Sequence, residues 1–182
     1  MRRARVTSCL YMLLLVGLTI GLMAGAALTN SIAAAAPQQA ADPHDWATYV
    51  NVRFQYSICY PKDLLVPQGE SDNSDGQRFR SNKDGAELAA WGDNNASDQT
   101  LRQRLSDMEG WLPGASGKVT YKVQKANWLV VSGQSGQMIF YAKTIFSHGQ
   151  FKTFELTYDR SAATLYDLLV ARFVSCFTDL AR

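Results

Sequence analysis

The chain predicts an α+β domain: an antiparallel sheet of about seven strands flanked by helices, with the C-terminal helix packed on the sheet. Three observations carry this expectation. Short runs of alternating apolar and polar residues recur between residues 52 and 158, separated by tight turns. After them, Leu165, Leu169, Phe173, Cys176, Phe177 and Leu180 recur at the three- and four-residue spacing of a buried helix face. Finally, one cysteine, Cys59, lies on the first strand run and another, Cys176, lies on the helical stripe.

The elements follow in order. Residues 1–35 read as a secretory signal: Arg2, Arg3 and Arg5 give a positive start, Leu10 to Met23 an apolar centre, and the Ala33–Ala35 pair a cleavage site. The alternative is a retained anchor that attaches the protein to the inner membrane through residues 9–28, a stretch long enough to span a bilayer. Residues 36–48 read as a small, polar tether, and 49–182 as a single domain. Val52 to Tyr60 alternates strictly, with Val52, Phe54, Tyr56, Ile58 and Tyr60 on one face, which predicts a half-buried strand ended by Pro61.

Residues 66–76 read as a long connection. Gln77–Ser81 and Ala86–Trp91 then form a strand pair around the Asn82-Lys-Asp-Gly85 hairpin signal. Ser97 or Asp98 is placed to cap a helix with Leu101, Leu105 and Met108 on one face, closed by Gly110. Four further strands are expected at 118–123, 128–133, 138–145 and 151–158. The turns between them fall at 124–127, 133–136 and 147–149. Asp159 or Ser161 caps the last helix.

Charge and cysteine content bound the function. The formal charge of the whole chain is +2, and removal of Arg2, Arg3 and Arg5 with the signal takes it to −1. No basic cluster remains to hold nucleic acid, so nucleic-acid binding is excluded. Export removes Cys9 and leaves Cys59 and Cys176, which an oxidising compartment would join. The Cys-x-x-Cys spacing of a redox-active pair is absent. The expected location is therefore periplasmic or secreted.

Chemistry-bearing motifs are sparse. His44 lies in the tether and His148 in a turn, neither with a second histidine at ligand spacing. Ser71-Asp72-Asn73-Ser74-Asp75-Gly76 resembles the start of a calcium loop. With Gly76 in the required glycine position, however, Ser71 and Asn82 stand where carboxylates belong. Asp72, Asn73 and Asp75 are thus weak metal candidates beside an ordinary turn reading. Asn95-Ala-Ser97 fits a glycosylation acceptor. Trp111 and Leu112, between Gly110 and Gly114, are either a partner contact or a flap folded over the core edge. No catalytic constellation and no cofactor motif is recognised. The expectation is a non-catalytic binding or accessory protein, with a protein or small-molecule partner in the envelope and a membrane only if the signal stays uncleaved. The alternative is a hydrolase-like enzyme using Glu70, Asp72 or Asp75.

Phe54-Gln-Tyr-Ser-Ile-Cys-Tyr-Pro61 resembles the opening strand of PsbP-like proteins, in which an aromatic-rich strand ends in Tyr-Pro and leads into an antiparallel sheet flanked by helices. Asp75-Gly-Gln-Arg-Phe-Arg-Ser-Asn-Lys-Asp-Gly-Ala-Glu-Leu88 also resembles a stretch of small exported bacterial proteins. The resemblance implies an extrinsic subunit, binding module or envelope accessory protein. It brings no set of catalytic residues.

Overall fold

Ten strands and two helices follow one another in the computed structural model, which describes residues 43–181 except Ala115. The expected signal, and the tether up to residue 42, lie outside the described residues. No helix among the described residues is long and apolar enough to cross a membrane.

The strands are β1 (Trp46–Asn51), β2 (Tyr56–Pro61), β3 (Val66–Glu70), β4 (Gly76–Arg80), β5 (Glu87–Asn94), β6 (Gly117–Gln124), β7 (Trp128–Ser135), β8 (Met138–Ser147), β9 (Gln150–Asp159) and β10 (Thr178–Asp179). Helix α1 (Leu101–Trp111) separates β5 from β6. Helix α2 (Ala163–Cys176) follows β9 after one 3₁₀ turn. All pairings are antiparallel. One sheet has the order β3-β4-β5-β9-β8-β7-β6, and a second has the order β1-β2-β10. The α+β class, the seven-stranded antiparallel sheet and the C-terminal helix agree with the sequence expectation.

Several boundaries differ from that expectation, each for a local physical reason. The tether ends early, because Trp46 already pairs with Pro61 to open β1. Residues 52–55 turn the chain instead of extending it: Gln55 has φ 52° and Val52 is 82 % exposed. The expected strand thus begins at Tyr56, and it is covered on both faces rather than half-buried, with Ser57 and Cys59 buried as well as Tyr56 and Ile58. The connection expected at 66–76 contains β3, an edge strand, where Pro67 is tolerated because it has no ladder hydrogen bond to lose.

Helix α1 is capped by neither Ser97 nor Asp98. Thr100 accepts from the Gln103 amide while the Gln103 side chain accepts from the Thr100 amide, a complete capping box. The helix also runs past Gly110 to Trp111. The turn expected at 133–136 tightens to Gly136-Gln137, with Ser135 paired to Met138. Between β8 and β9, His148 and Gly149 both take positive φ (50° and 70°), as a two-residue hairpin turn requires. Asp159 caps the 3₁₀ turn by accepting from the Ser161 amide, and Leu180, expected on the buried stripe, is exposed beyond the end of α2.

Two cores result. The larger lies between the seven-stranded sheet, the three-stranded sheet and α2, and is built on Tyr56, Phe79, Leu88, Phe154, Tyr166 and Phe173. The β1–β2 turn reaches it through Phe54, which packs on Gly92; a Cβ there would lie 2.2 Å from Phe54 Cγ. The smaller core sits on the opposite face of the large sheet, where Leu101, Met108 and Leu112 of the α1 region meet Leu129, Val131, Phe140 and Phe151. Cys59 and Cys176 are joined by a disulfide that ties β2 to the end of α2, with Cα atoms 5.7 Å apart. Beyond it, β10 pairs with β2 and carries Asp179 to the fully buried Lys152 ammonium.

Candidate functional site

On its face of the large sheet, helix α1 packs chiefly against β6 and β7 and reaches β5 through the Arg104–Asp93 ion pair and the Trp111–Trp91 contact. The strand registers place Arg78, Ala89, Glu155 and Ala142 in one cross-strand row on this face, with Gly76, Trp91, Thr153 and Thr144 in the next. Glu155 is therefore flanked by two alanines, of which Ala89 lines a hollow beside it and Ala142 is buried in the smaller core. Trp91 stands on the diagonal from Glu155. Trp111, the last residue of α1, closes the hollow from above; its ring centroid lies 6.4 Å from that of Trp91, with the planes 55° apart.

The resulting groove has a volume of about 580 Å³ and is lined by Trp91, Trp111, Glu155, Arg78 and the β3–β4 turn. Its walls are fixed from several sides. Arg104 holds α1 over β5 through Asp93, at 2.6 Å, and stacks its guanidinium 4.7 Å from the centre of the Phe151 ring. Thr144 and Thr153 share a buried hydrogen bond of 2.9 Å under Met108. At the rim, the three-stranded sheet grips the β3–β4 turn. Asn51 donates to the Ser74 carbonyl at 3.0 Å, Arg53 to the Asn73 carbonyl, Tyr56 to the Asp75 carbonyl at 3.3 Å, and Tyr49 to the Glu70 carboxylate at 2.7 Å. Gly76, at the end of the floor, has no room for a Cβ, which would lie 1.9 Å from the Ala90 carbonyl oxygen.

The sequence-derived candidates are distributed unevenly about this groove. Glu70 and Asp75 line it. Asp72 and Asn73 lie exposed in the adjoining turn and do not. The Asp75 carboxylate accepts from the Ser71 hydroxyl at 2.5 Å and from the Asn73 amide at 2.8 Å, so its oxygens serve the turn. Among the described residues, no group of three or more His, Cys, Asp or Glu side chains is placed to hold a metal ion. Trp111 is 47 % exposed at the groove, whereas its neighbour Leu112 is buried in the smaller core. The expected apolar tip is therefore divided between two environments. His44 meets Asp63 at 2.8 Å, and His148 is a hairpin residue. The Asn95 carboxamide is engaged at both ends by the Gln99 backbone, at 2.8 and 2.9 Å, which makes it a turn residue and a poor acceptor for a glycan.

Two site residues were not recognisable in the sequence. Trp91 falls in the strand expected at 86–91 and Glu155 in the one expected at 151–158, with nothing to set either apart. Glu155 is the electrostatic anomaly of the face. Among the described residues its carboxylate accepts no hydrogen bond and joins no ion pair. Burial pushes its pKa up, Glu87 adds to the rise, and Arg78 opposes it. Glu87 behaves in the opposite way: burial works to raise it, but hydrogen bonds from Arg80, at 2.6 Å, and from Arg78 outweigh that and hold it below the usual carboxylate range.

This difference gives a stability prediction. A carboxylate whose folded-state pKa is raised destabilises the fold when ionised. That penalty is full above the raised pKa, shrinks as pH falls through it, and is gone below the ordinary carboxylate range. Glu155→Gln should therefore be more stable than wild type at pH 7, with the gain disappearing by about pH 4. Urea midpoints measured across this range check it; a variant less stable than wild type at pH 7 contradicts it.

No protein-family model matches the chain, and no curated protein matches it. Among solved structures it is similar to cyanobacterial PsbP (CyanoP) from Synechocystis sp. PCC 6803, determined in solution. The identity is 13 %, the match covers 78 % of this chain and 96 % of that one, and the TM-score is 0.58. At this identity the likeness is one of fold, and the fold of this chain is PsbP-like.

Proposed function

We propose that this chain is an exported, non-catalytic binding module whose ligand site is the groove between Trp91, Trp111 and Glu155. One observation carries the reading: two tryptophans and a carboxylate that, among the described residues, accepts no hydrogen bond and joins no ion pair converge on a hollow of about 580 Å³. Ligand pockets commonly span about 300 to 1,000 Å³, the size range of this hollow. A carboxylate held there at a cost to stability is the kind of local inconsistency that marks function. Export is supported by the signal read at residues 1–35 and by the Cys59–Cys176 disulfide. The site of action is then the periplasm or the exterior. Attachment to the inner membrane through residues 9–28 is the alternative, which the mass of the mature N-terminus decides.

Of the three carboxylates of the hydrolase alternative, Glu70 is engaged by Tyr49 and Asp75 by Ser71 and Asn73, while Asp72 lies exposed outside the groove, which favours binding over catalysis. The test is equilibrium dialysis of the purified protein against a small-molecule extract of the envelope, read by mass spectrometry. Wild type should retain a compound unchanged, and Trp111→Ala should retain about tenfold less of it or lower still, as for loss of an aromatic anchor. Equal retention by the two proteins removes the groove from the account. Chemical conversion of the compound replaces the binding module with an enzyme.

A further inference from the structure

We infer that the groove takes a small organic cation, an ammonium group carried on an apolar body, with the charge over Glu155 and the body against Trp91 and Trp111. The inference rests on the binding role proposed above and names its ligand class. Three carboxylates, Glu70, Asp75 and Glu155, line the groove against one cation, Arg78, and Arg78 is itself paired with Glu87. Asp75 is occupied by Ser71 and Asn73, and Glu70 by Tyr49. Glu155 is the carboxylate left to meet a ligand.

Each ligand class fits this arrangement differently. An anion would add a like charge beside these carboxylates. A neutral sugar could stack on the indoles but would bring no charge to Glu155, whose nearest cation, Arg78, is already paired with Glu87. A cation satisfies both features at once, because indole rings attract ammonium groups through their quadrupole and a half-buried carboxylate gains most from an opposite charge. The hollow also has small-molecule dimensions. The neighbouring edge does not suit strand addition by a polypeptide, since β3 carries Pro67 and its register shifts between Pro67 and Glu70.

Acid should abolish the interaction. The charged groups facing Glu155 are Arg78 on β4 and Glu87 on β5, while β8 presents Ala142 and α1 presents Trp111. Because burial raises the Glu155 carboxyl, it is neutralised at a higher pH than an exposed glutamate, and affinity for a cation falls with it.

The experiment titrates 2-phenylethylammonium, 2-phenylethanol and phenylacetate into the full-length mature protein and follows the tryptophan indole signals by NMR. At neutral pH the ammonium compound should bind about tenfold or more tightly than the alcohol and move the Trp91 and Trp111 signals. Acidification should erase that preference, and so should Glu155→Gln, whose unchanged spectrum elsewhere shows that it folds. Equal binding of alcohol and amine, preferential binding of phenylacetate, absence of amine binding, or a preference that survives in Glu155→Gln each overturns the inference. If extract compounds are nevertheless retained through Trp111, the cation assignment fails and the binding module stands. If retention does not depend on Trp111, the binding role fails as well.

Discussion

Replacing both cysteines of the Cys59–Cys176 bridge with alanine is expected to lower the stability of the domain by about 4 to 5 kcal/mol. The bond closes a loop with a sequence separation of 117, and in the chain-entropy model a loop of that length strongly restricts the unfolded ensemble. Folded-state geometry adds a local reason. The bridge joins β2, at the centre of the three-stranded sheet, to the last residue of α2, immediately before the chain turns into β10. Without it, the α2 end is held by Phe177 in the core and by the short β10 pairing. Urea unfolding of wild type and of the Cys59→Ala/Cys176→Ala variant measures the difference. A loss of about 1 kcal/mol or less would place the main stability of the C-terminal segment elsewhere.

The second large effect belongs to Lys152 and Asp179. The Lys152 side chain is 0 % exposed, and its ammonium donates to Asp179 and, at 2.8 Å, to the Ser147 hydroxyl. Removing the carboxylate strands a buried charge, so Asp179→Ala should cost about 3 to 5 kcal/mol. Removing both charges should cost far less: a Lys152→Met/Asp179→Leu pair is expected near neutrality or above wild type. The contrast between these variants separates an electrostatic clamp from plain packing, because a packing role would make the double variant at least as damaging as the single one.

The pH dependence follows from the same contact. Burial works to raise the Asp179 carboxyl, but hydrogen bonds from Lys152 and Ser147 outweigh it and hold its pKa below the usual range. The stabilisation is therefore full above the ordinary carboxylate pKa and is lost as pH falls through the lowered value. Glu155 acts in the opposite sense, so the two carboxylates should leave distinct signatures in an acid titration of stability.

The α2 stripe was legible because helical spacing is a local property, and the Asn82–Gly85 and His148–Gly149 turns because positive φ restricts residue choice. β1 was hidden, since Trp46–Asn51 follows a polar stretch directly and its pairing with β2 is not a local signal. β3 was hidden by Pro67 and Gly69, which read as a loop and are tolerated at a sheet edge. Ser97 and Asp98 compete with Thr100 as helix starts because all three are good cap residues, and the capping-box spacing of Thr100 and Gln103 decides between them. Lys152 looked like any polar strand residue; only the arrival of β10 from the far end of the chain explains its burial.

The candidate site was less legible than the fold. Trp111 stood out between its flanking glycines, and Leu112 with it, but only the helix geometry separates the two. Trp91 and Glu155 belong to β5 and β9, distant in sequence, and their convergence depends on register across the sheet. Ala89, the small neighbour of Glu155 that lines the hollow, is equally nonlocal. A single sequence offers no pattern from which that row could be assembled.

The central claim is that the Trp91–Trp111–Glu155 groove is where this protein meets its ligand. The most direct measurement is the indole N–H spectrum of the mature protein, whose four tryptophans report on different places, recorded with the compound retained from envelope extract. The groove account predicts that the Trp91 and Trp111 signals shift together while Trp46 and Trp128, which pack on the larger core, stay in place. Movement of Trp46 or Trp128 with Trp91 and Trp111 unchanged would contradict it.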